Sequence, residues 1–460
     1  MRLGATAVRA LTKAVGEEHV RFTPGELAPY RRDATPLFTG HPDAVVFPAD
    51  TGEVAAVLGV ATEHGIPVVP RGAGSNLCAA TVPSHGGIVL VLTRLNRILE
   101  LSRDELLARV QPGVAVARLA ETAAHAGLLY PPDPGSRGVA TVGGTIATCA
   151  GGLRGLKYGV TRNYVLGLEA VLPTGETIRT GGRLWKDVAG YDLTRLLTGS
   201  EGTLAVITEA TVALLPMPSH SRTGVAYFGS LAEAGQAVSA ILAAGVVPAT
   251  LEFLDRKCVA AVEAHARLGL RTDAGALLLF GDDGPIEVVA GNMVRIRTLC
   301  TEAGAWETTL AEDVAAADAL LAARRCSLPA LSRLGALTIL EDATVPRPRL
   351  ADMVARIDEI ADRHGLHIAT FGHAGDGNLH PTCVLDPGEH GAADRAHKAF
   401  AEIFAAALEL GGTITGEHGV GAAKLPFLAD RVGDAQLALL RRVKQAFDPA
   451  GILNPGKLGS

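Results

Sequence analysis

The sequence predicts an α+β fold in two unlike halves, closed by a helical return segment. Three observations predict it. Helical and strand patterns alternate up to about residue 215, Pro216-Met217-Pro218-Ser219 then interrupts the chain, and the pattern changes beyond it. The boundaries drawn are 1–218, 219–425 and 426–460, the last part helical. A chain of 460 residues suffices for two or three domains.

In the first half, Val54, Val57, Leu58 and Ala61 recur at helical spacing over 53–64. Asp50 and Glu53 make a capping-box-like start, and Gly65 a stop. Ile66–Val69 and Ile88–Leu92 read as strands, 114–126 as a helix ended by Gly127, and 166–172 and 204–215 as strands rich in β-branched residues. The stretch 131–162 is Gly-rich. Gly143, Gly144, Gly151 and Gly152 among small residues argue against a packed strand or helix and suit a flat ligand lying on bare backbone. In the second half, 231–244, 311–325 and 349–364 read as helices, the last stopped by Gly365. Thr250–Leu254 and 366–371 read as strands. A long helix covers 391–410, and a last one 435–447 leads into a Pro/Gly-rich tail.

Composition excludes several function classes. The net charge is −6 with no basic block, which argues against nucleic acid as a partner. No run of 18 apolar residues predicts a membrane span, and residues 1–16 lack the pattern of a signal peptide, so a cytoplasmic location is expected. The six cysteines (Cys78, Cys149, Cys258, Cys300, Cys326, Cys383) contain no C-x-x-C, against a disulfide framework, a zinc ribbon or an iron–sulfur cluster. The 54 glycines exceed the ordinary share of roughly 7% and suit a main chain that wraps a large ligand.

Four motifs carry chemistry. Pro70-Arg71-Gly72-Ala73-Gly74-Ser75-Asn76 follows a strand, and its small residues let N–H groups form an anion-binding nest. Leu77 stands where the dinucleotide fingerprint needs a third glycine, so this is not that motif. A second stretch runs Pro131-Pro132-Asp133-Pro134-Gly135-Ser136, then Thr141 to Thr148, then Gly151-Gly152; a third is Thr198-Gly199-Ser200-Glu201-Gly202-Thr203-Leu204. The fourth, Gly372 to His380, centres on G-D-G-N turn chemistry and places His373 and His380 near one another, which suits a divalent metal. Gly416-Glu417-His418-Gly419 adds a carboxylate and another imidazole. Gly451 to Lys457 matches G-x-x-x-x-G-K, but Leu458 replaces Ser/Thr and Pro455 interrupts the loop, so it is no P-loop.

The order R-G-A-G, P-x-D-P-x-S, T-x-G-G-x-I-A, G-G, K-Y-G-x-T, G-S-E-G-T-L resembles the FAD-binding half of the vanillyl-alcohol-oxidase / p-cresol-methylhydroxylase superfamily. Closer still, from about Tyr30 to Lys457, the chain is similar to glycolate oxidase catalytic subunits and FAD-linked D-lactate dehydrogenases. The resemblance implies a two-subdomain FAD-binding domain of that type, an α+β substrate (cap) domain with an antiparallel sheet, a C-terminal segment that returns to the FAD domain, and FAD held by Pro70, Arg71, Gly72, Ala73, Gly74, Ser75, Asn76, Pro132, Asp133, Ser136, Thr141, Gly143, Gly144, Gly151, Tyr158, Glu201, Gly202, Ile207 and Asn454. Tyr191 is expected to be structural. Metal-dependent relatives carry H-x-G-D-G-N-x-H and G-E-H-G, which implies His373, His380 and Glu417 as metal ligands and His418 as base. Relatives also keep an Arg where Arg324-Arg325 end a helix, and Arg324 is expected to grip a substrate carboxylate.

These roles fit oxidation of a small D-2-hydroxy acid, glycolate or D-lactate, to the 2-oxo acid. A metal lowers the hydroxyl pKa, a neutral His takes the proton, and hydride passes from Cα to the flavin. Thr382 and Leu340 favour a small acid over D-2-hydroxyglutarate or another large one; an FAD-holding subunit of a multi-subunit glycolate oxidase is a further alternative. Zinc, manganese and iron all accept two His and a Glu. The acceptor (quinone, electron-transfer protein, partner subunit or oxygen), peripheral membrane association, homo-oligomerisation and covalent attachment of the flavin stay open.

Overall fold

A computed structural model describes residues 3–386 and 388–459. The chain forms two compact units, one of residues 1–151, 160–217 and 417–460 and the other of 152–159 and 218–416.

The first unit holds two larger sheets and a short pair, Leu128–Leu129 with Leu215–Pro216. In the four-stranded one, Val20–Arg21, Ala44–Val46, Ile88–Val91 and Val68–Arg71 lie in that order, parallel after the first pair. The five-stranded one is antiparallel, in the order Ile98–Ser102, Leu107–Val110, Val206–Ala213, Val165–Val171 and Thr177–Gly181. Helix Thr51–His64 begins where the Asp50 carboxylate accepts the Glu53 N–H and ends at Gly65 with φ +61°. Its box is offset by one residue: the Glu53 carboxylate reaches the N–H of Ala49 instead of Asp50. Val54, Val57, Leu58 and Ala61 enter a core with Leu11, Ile88, Leu90, Val171, Val206 and Leu453. That one cluster joins both sheets to the returning tail.

Two expectations fail here. The segment after Thr141 is a helix, Val142–Thr148, despite Gly143 and Gly144. The Thr141 hydroxyl caps it by accepting the Gly144 N–H, and the glycines serve close approach: a Cβ on Gly143 would lie 2.4 Å from the Pro112 Cβ. Tyr191 is 94% exposed and packs nothing, in a surface segment with Trp185 and Val188. The strand expected at 66–69 lies at Val68–Arg71, so Pro70 and Arg71 belong to the strand. The last helix begins at Leu428, ahead of 435, and is interrupted at Gly433 with φ +74°.

The tail after that helix adds to the first sheet. Val68 donates to the Ile452 carbonyl (2.8 Å), and Asn454 donates to the Val68 carbonyl (2.7 Å). Buried Lys444 donates to the carbonyls of Thr203 (2.8 Å) and Leu453 (2.6 Å) and pairs with buried Asp448. Asp448 in turn accepts from Ile452 and Leu453.

The second unit is built on an eight-stranded antiparallel sheet. Its order is Glu307–Leu310, His220–Phe228, Ala276–Gly284, Thr250–Asp255, His367–His373, Asn378–Leu385 and Leu337–Leu340, with Ala343–Thr344 pairing the Asn378–Leu385 strand. Helices Leu231–Ala243, Ile286–Glu302 and Leu350–His364 pack on it. Ser230 and Glu233 form a reciprocal capping box at the start of the first, and Gly365 ends the third at φ +60°. Asp255 caps helix Arg256–Ala266 from the end of its strand, accepting the N–H of Cys258 (2.7 Å) and of Thr370 (2.6 Å). Among the described residues, no helix is long and apolar enough to cross a membrane.

Lys444→Met should cost about 3–5 kcal/mol in a denaturation curve, because it leaves Asp448 buried without its cation. Burial pushes the Asp255 carboxyl up to about 6. A raised acid contributes stability that is fully present below its unfolded pKa of about 3.9 and is lost as pH rises through the folded value. The unfolding free energy should therefore decline between about pH 4 and 6, and Asp255→Asn should flatten that interval.

Candidate active site

The hairpin carries the first two candidate ligands. His367–His373 and Asn378–Leu385 pair in a register that sets Phe371 opposite His380 and His373 opposite Asn378. Alternate residues share a face, so His373 and His380 become diagonal neighbours on one face, with ring centroids 5.1 Å apart. Both are buried. Between the strands, the G-D-G-N turn closes through the Gly377 N–H donating to the His373 carbonyl (3.0 Å), and Gly377 takes φ +83°. Only glycine serves there twice over, since a Cβ would meet the Val345 carbonyl oxygen at 2.2 Å.

Buried Asp342 locks this turn to the segment that leads into Gly416. Its carboxylate accepts from the Asn378 side chain, from the Thr415 hydroxyl (2.7 Å) and from the Gly416 N–H (2.8 Å). Glu417 follows Gly416 directly, at the point where the chain re-enters the first unit. Two imidazoles and a carboxylate make a donor set that zinc, manganese and iron accept. Gly151 makes room for the carboxylate: a Cβ there would sit 2.4 Å from the Glu417 Oε2.

Arg324 ends helix Val314–Arg325 and is 5% exposed. Its Nε faces the Glu252 Oε2 at 2.8 Å, and its guanidinium lies over the Phe371 ring at 4.6 Å. Nη2 is buried with no protein partner among the described residues, an unspent donor that an anion would satisfy. Glu252, 1% exposed, also holds His373 Nδ1 at 2.7 Å. Sequence reasoning missed Glu252 and Asp342; neither stands in a motif.

In the first unit the Gly-rich stretches converge. Gly72 abuts Thr141, so that a Cβ on Gly72 would lie 2.3 Å from the Thr141 Oγ1. The Arg71 guanidinium folds back inside, donating to the Arg32 carbonyl (2.8 Å) over the Tyr30 ring, and burial lowers its pKa. Asn76 Oδ1 accepts from Cys78 and Ala80. Ala73 is exposed and Ser75 half-buried, while Asp133 is buried and takes a hydrogen bond from Arg137 (3.1 Å). Pro132 is buried, and the Ser136 carbonyl accepts from Val139 and Ala140 to form the turn.

Glu201 has internal partners that the sequence did not mark. At φ +54° and fully enclosed, its carboxylate accepts the N–H groups of Val420 and Gly421, each at 2.7 Å, and burial raises its pKa. It thereby fixes the loop of His418, whose carbonyl accepts from Cys78 (3.1 Å). Gly202 leaves room for Pro70, and Ile207 is buried in its strand. Asn454 donates to the carbonyls of Ala80 and Glu201 while its Oδ1 stays without a protein partner. Tyr158, in the second unit, gives its hydroxyl to Asp283 (2.7 Å) beside the Lys157 pairs with Asp282 and Asp283.

Residues 42–181 match the FAD binding domain family, and residues 217–458 match the C-terminal domain of the FAD linked oxidases. The chain belongs to the FAD-linked oxidases. The glycolate oxidase subunit GlcD of Bacillus subtilis (strain 168) is 51% identical over 93% of this chain and 91% of its own length. A D-lactate dehydrogenase of Anaerostipes hadrus is 36% identical over 96% and 94%. Among solved structures, 4-ethylphenol oxidase from Gulosibacter chungangensis aligns with a TM-score of 0.83 at 21% identity, covering 98% of this chain and 96% of that one, and shares its fold. The first unit of this FAD-linked oxidase fits FAD on its own evidence. The bare backbone of Gly72 and Gly74 lies tight against Thr141 and Arg71, and the buried Tyr130 hydroxyl and Asn454 Oδ1 call for a polar partner that the described residues do not supply.

Asp342→Ala should strand three donors at once and lower stability by about 3 kcal/mol or more, measurable as a lower denaturation midpoint.

Proposed function

We propose that this FAD-linked oxidase oxidises a small D-2-hydroxy acid, glycolate or D-lactate, to the 2-oxo acid. The observation that carries the reading is the pair of buried imidazoles, His373 and His380, on one face of the hairpin, together with the unspent Nη2 of Arg324 on the same unit. Such a substrate has a hydroxyl and a carboxylate on adjacent carbons, and these residues supply one recognition element for each. The relatives named as glycolate oxidase subunit and D-lactate dehydrogenase support the same class.

FAD, when bound, accepts the two electrons and the Cα hydrogen that the substrate loses. The loops of Arg71–Asn76, Pro132–Ser136 and Thr141–Gly144, with Tyr158, Gly202, Ile207 and Asn454, are the residues that would hold it. A divalent ion on His373, His380 and Glu417 supplies Lewis acidity toward the substrate hydroxyl. Arg324 binds the substrate carboxylate through its Nη atoms and fixes which face of Cα is presented. His418 takes the hydroxyl proton; a neutral imidazole within hydrogen-bond reach is the right base for it near neutral pH. Cys78 donates to the His418 carbonyl and Glu201 accepts the Val420 N–H two residues on, which fixes the segment that carries His418. The electrons would leave to a partner subunit, an electron-transfer protein or a quinone; relatives named as subunits favour the first.

Anaerobic addition of glycolate, L-lactate, D-lactate and D-2-hydroxyglutarate separately should show the flavin band near about 450 nm bleached by glycolate or D-lactate alone. Bleaching by D-2-hydroxyglutarate instead would move the substrate to a larger acid, and a flavin that no hydroxy acid bleaches would overturn the reading. His380→Ala should lose metal and turnover while keeping FAD. His418→Ala should keep both cofactors and slow flavin reduction by about 10²-fold or more.

A further inference from the structure

We infer that Glu252 is a positioning residue that couples the two halves of substrate recognition, setting the ring of His373 for a metal and the fork of Arg324 for a carboxylate with one buried side chain. The inference rests on the reading of the site just given. Glu252 lies on strand Thr250–Asp255, central in the sheet, paired in register with His373. Its two oxygens go to different partners: Oε1 to His373 Nδ1 at 2.7 Å and Oε2 to Arg324 Nε at 2.8 Å. All three residues are at least nine-tenths buried.

Each half of the bridge has a chemical consequence. An ionised carboxylate only accepts, so the Nδ1 of a neutral His373 must carry the ring proton. In that tautomer Nε2 is the ring atom with the lone pair that can ligate a cation, and the ring cannot rotate without breaking a buried contact. On the other side, engaging Nε takes the edge of the guanidinium away from a substrate and leaves the Nη atoms, while Phe371 beneath fixes the plane. The ion pair also offsets the arginine's charge until a carboxylate arrives. Because Phe371 faces His380 across the hairpin, the plane of the arginine and both imidazoles are referred to one strand pair.

The inference is tested on the FAD-loaded protein stripped of metal by chelation. Nitrogen NMR of labelled histidines, with His373 assigned from an H373N sample, should report the Nδ1–H form in the native protein. Glu252→Ala and the isosteric Glu252→Gln should shift that signal toward the Nε2–H form. Zinc affinity, measured by competition with a chromophoric chelator, should fall by about 10- to 100-fold in Glu252→Ala. Propionate, a carboxylate without the hydroxyl, should perturb the flavin spectrum of the native protein and bind at least about tenfold more weakly in the same variant. Arg324→Lys should weaken propionate alone, and His373→Ala zinc alone, so joint loss with FAD and melting temperature retained marks the bridge. An Nε2–H ring at His373 in the native protein overturns the inference without reference to any variant. So does native zinc and propionate affinity in Glu252→Ala. A native protein that takes up no zinc or manganese overturns the metal reading of the site, and the inference with it.

Discussion

The register of one hairpin governs the candidate chemistry. Phe371 opposite His380 and His373 opposite Asn378 put both imidazoles, and the ring that carries Arg324, on the same face of the sheet. Strand periodicity is strict, so a slip of one residue would send one histidine to the opposite face and leave a buried polar ring without its partners. The register is pinned at the turn, where Gly377 accommodates both the positive φ and the neighbouring Val345 carbonyl, and again beyond it, where Asn378 is tied to Asp342 and Thr344. A turn, an amide and a carboxylate thus do the work that a longer loop would do loosely.

How much of this was legible in the sequence follows from how local each signal is. The hairpin was legible because the G-D-G-N turn and its flanking strands lie within twenty residues, and the helix over 51–64 because a cap, a period and a glycine stop agree. Glu252 was not, because it meets His373 only through strand pairing, and nothing around Glu252 marks it. The strands His220–Phe228 and Ala276–Gly284 also went unread; the second is a nearly continuous buried run without alternation, which period alone does not distinguish. The error at Val142–Thr148 has a different cause. Glycine was taken as a mark of irregular backbone, whereas here it lets a short helix approach Pro112. Glu201 also clamps Val420 and Gly421 with its carboxylate, a role that the sequence did not mark because these partners lie over two hundred residues away.

The first unit relies on buried charge to an unusual degree. Glu201, Lys424, Lys444, Asp448 and Lys457 are all enclosed. Glu201, Lys444, Asp448 and Lys457 each engage main-chain N–H or carbonyl groups. Buried charges used this way add little net stability but penalise every arrangement in which they go unmet. They therefore select one path for the Gly-rich segments, whose backbone would otherwise admit many.

The contact between Val68 and Leu453 has a kinetic side. The strand that carries the first Gly-rich loop receives its outer neighbour from residues nearly the whole chain away, and the core cluster includes Leu453 beside Val54 and Ile88. During synthesis that edge waits, unpaired, while the second unit is made and the chain crosses back. Contacts so distant in sequence make for slow closure. An exposed parallel edge next to a flexible loop is the segment on which a chaperone or a protease would act first, so the yield of folded protein is set at the tail as much as at the loop it completes.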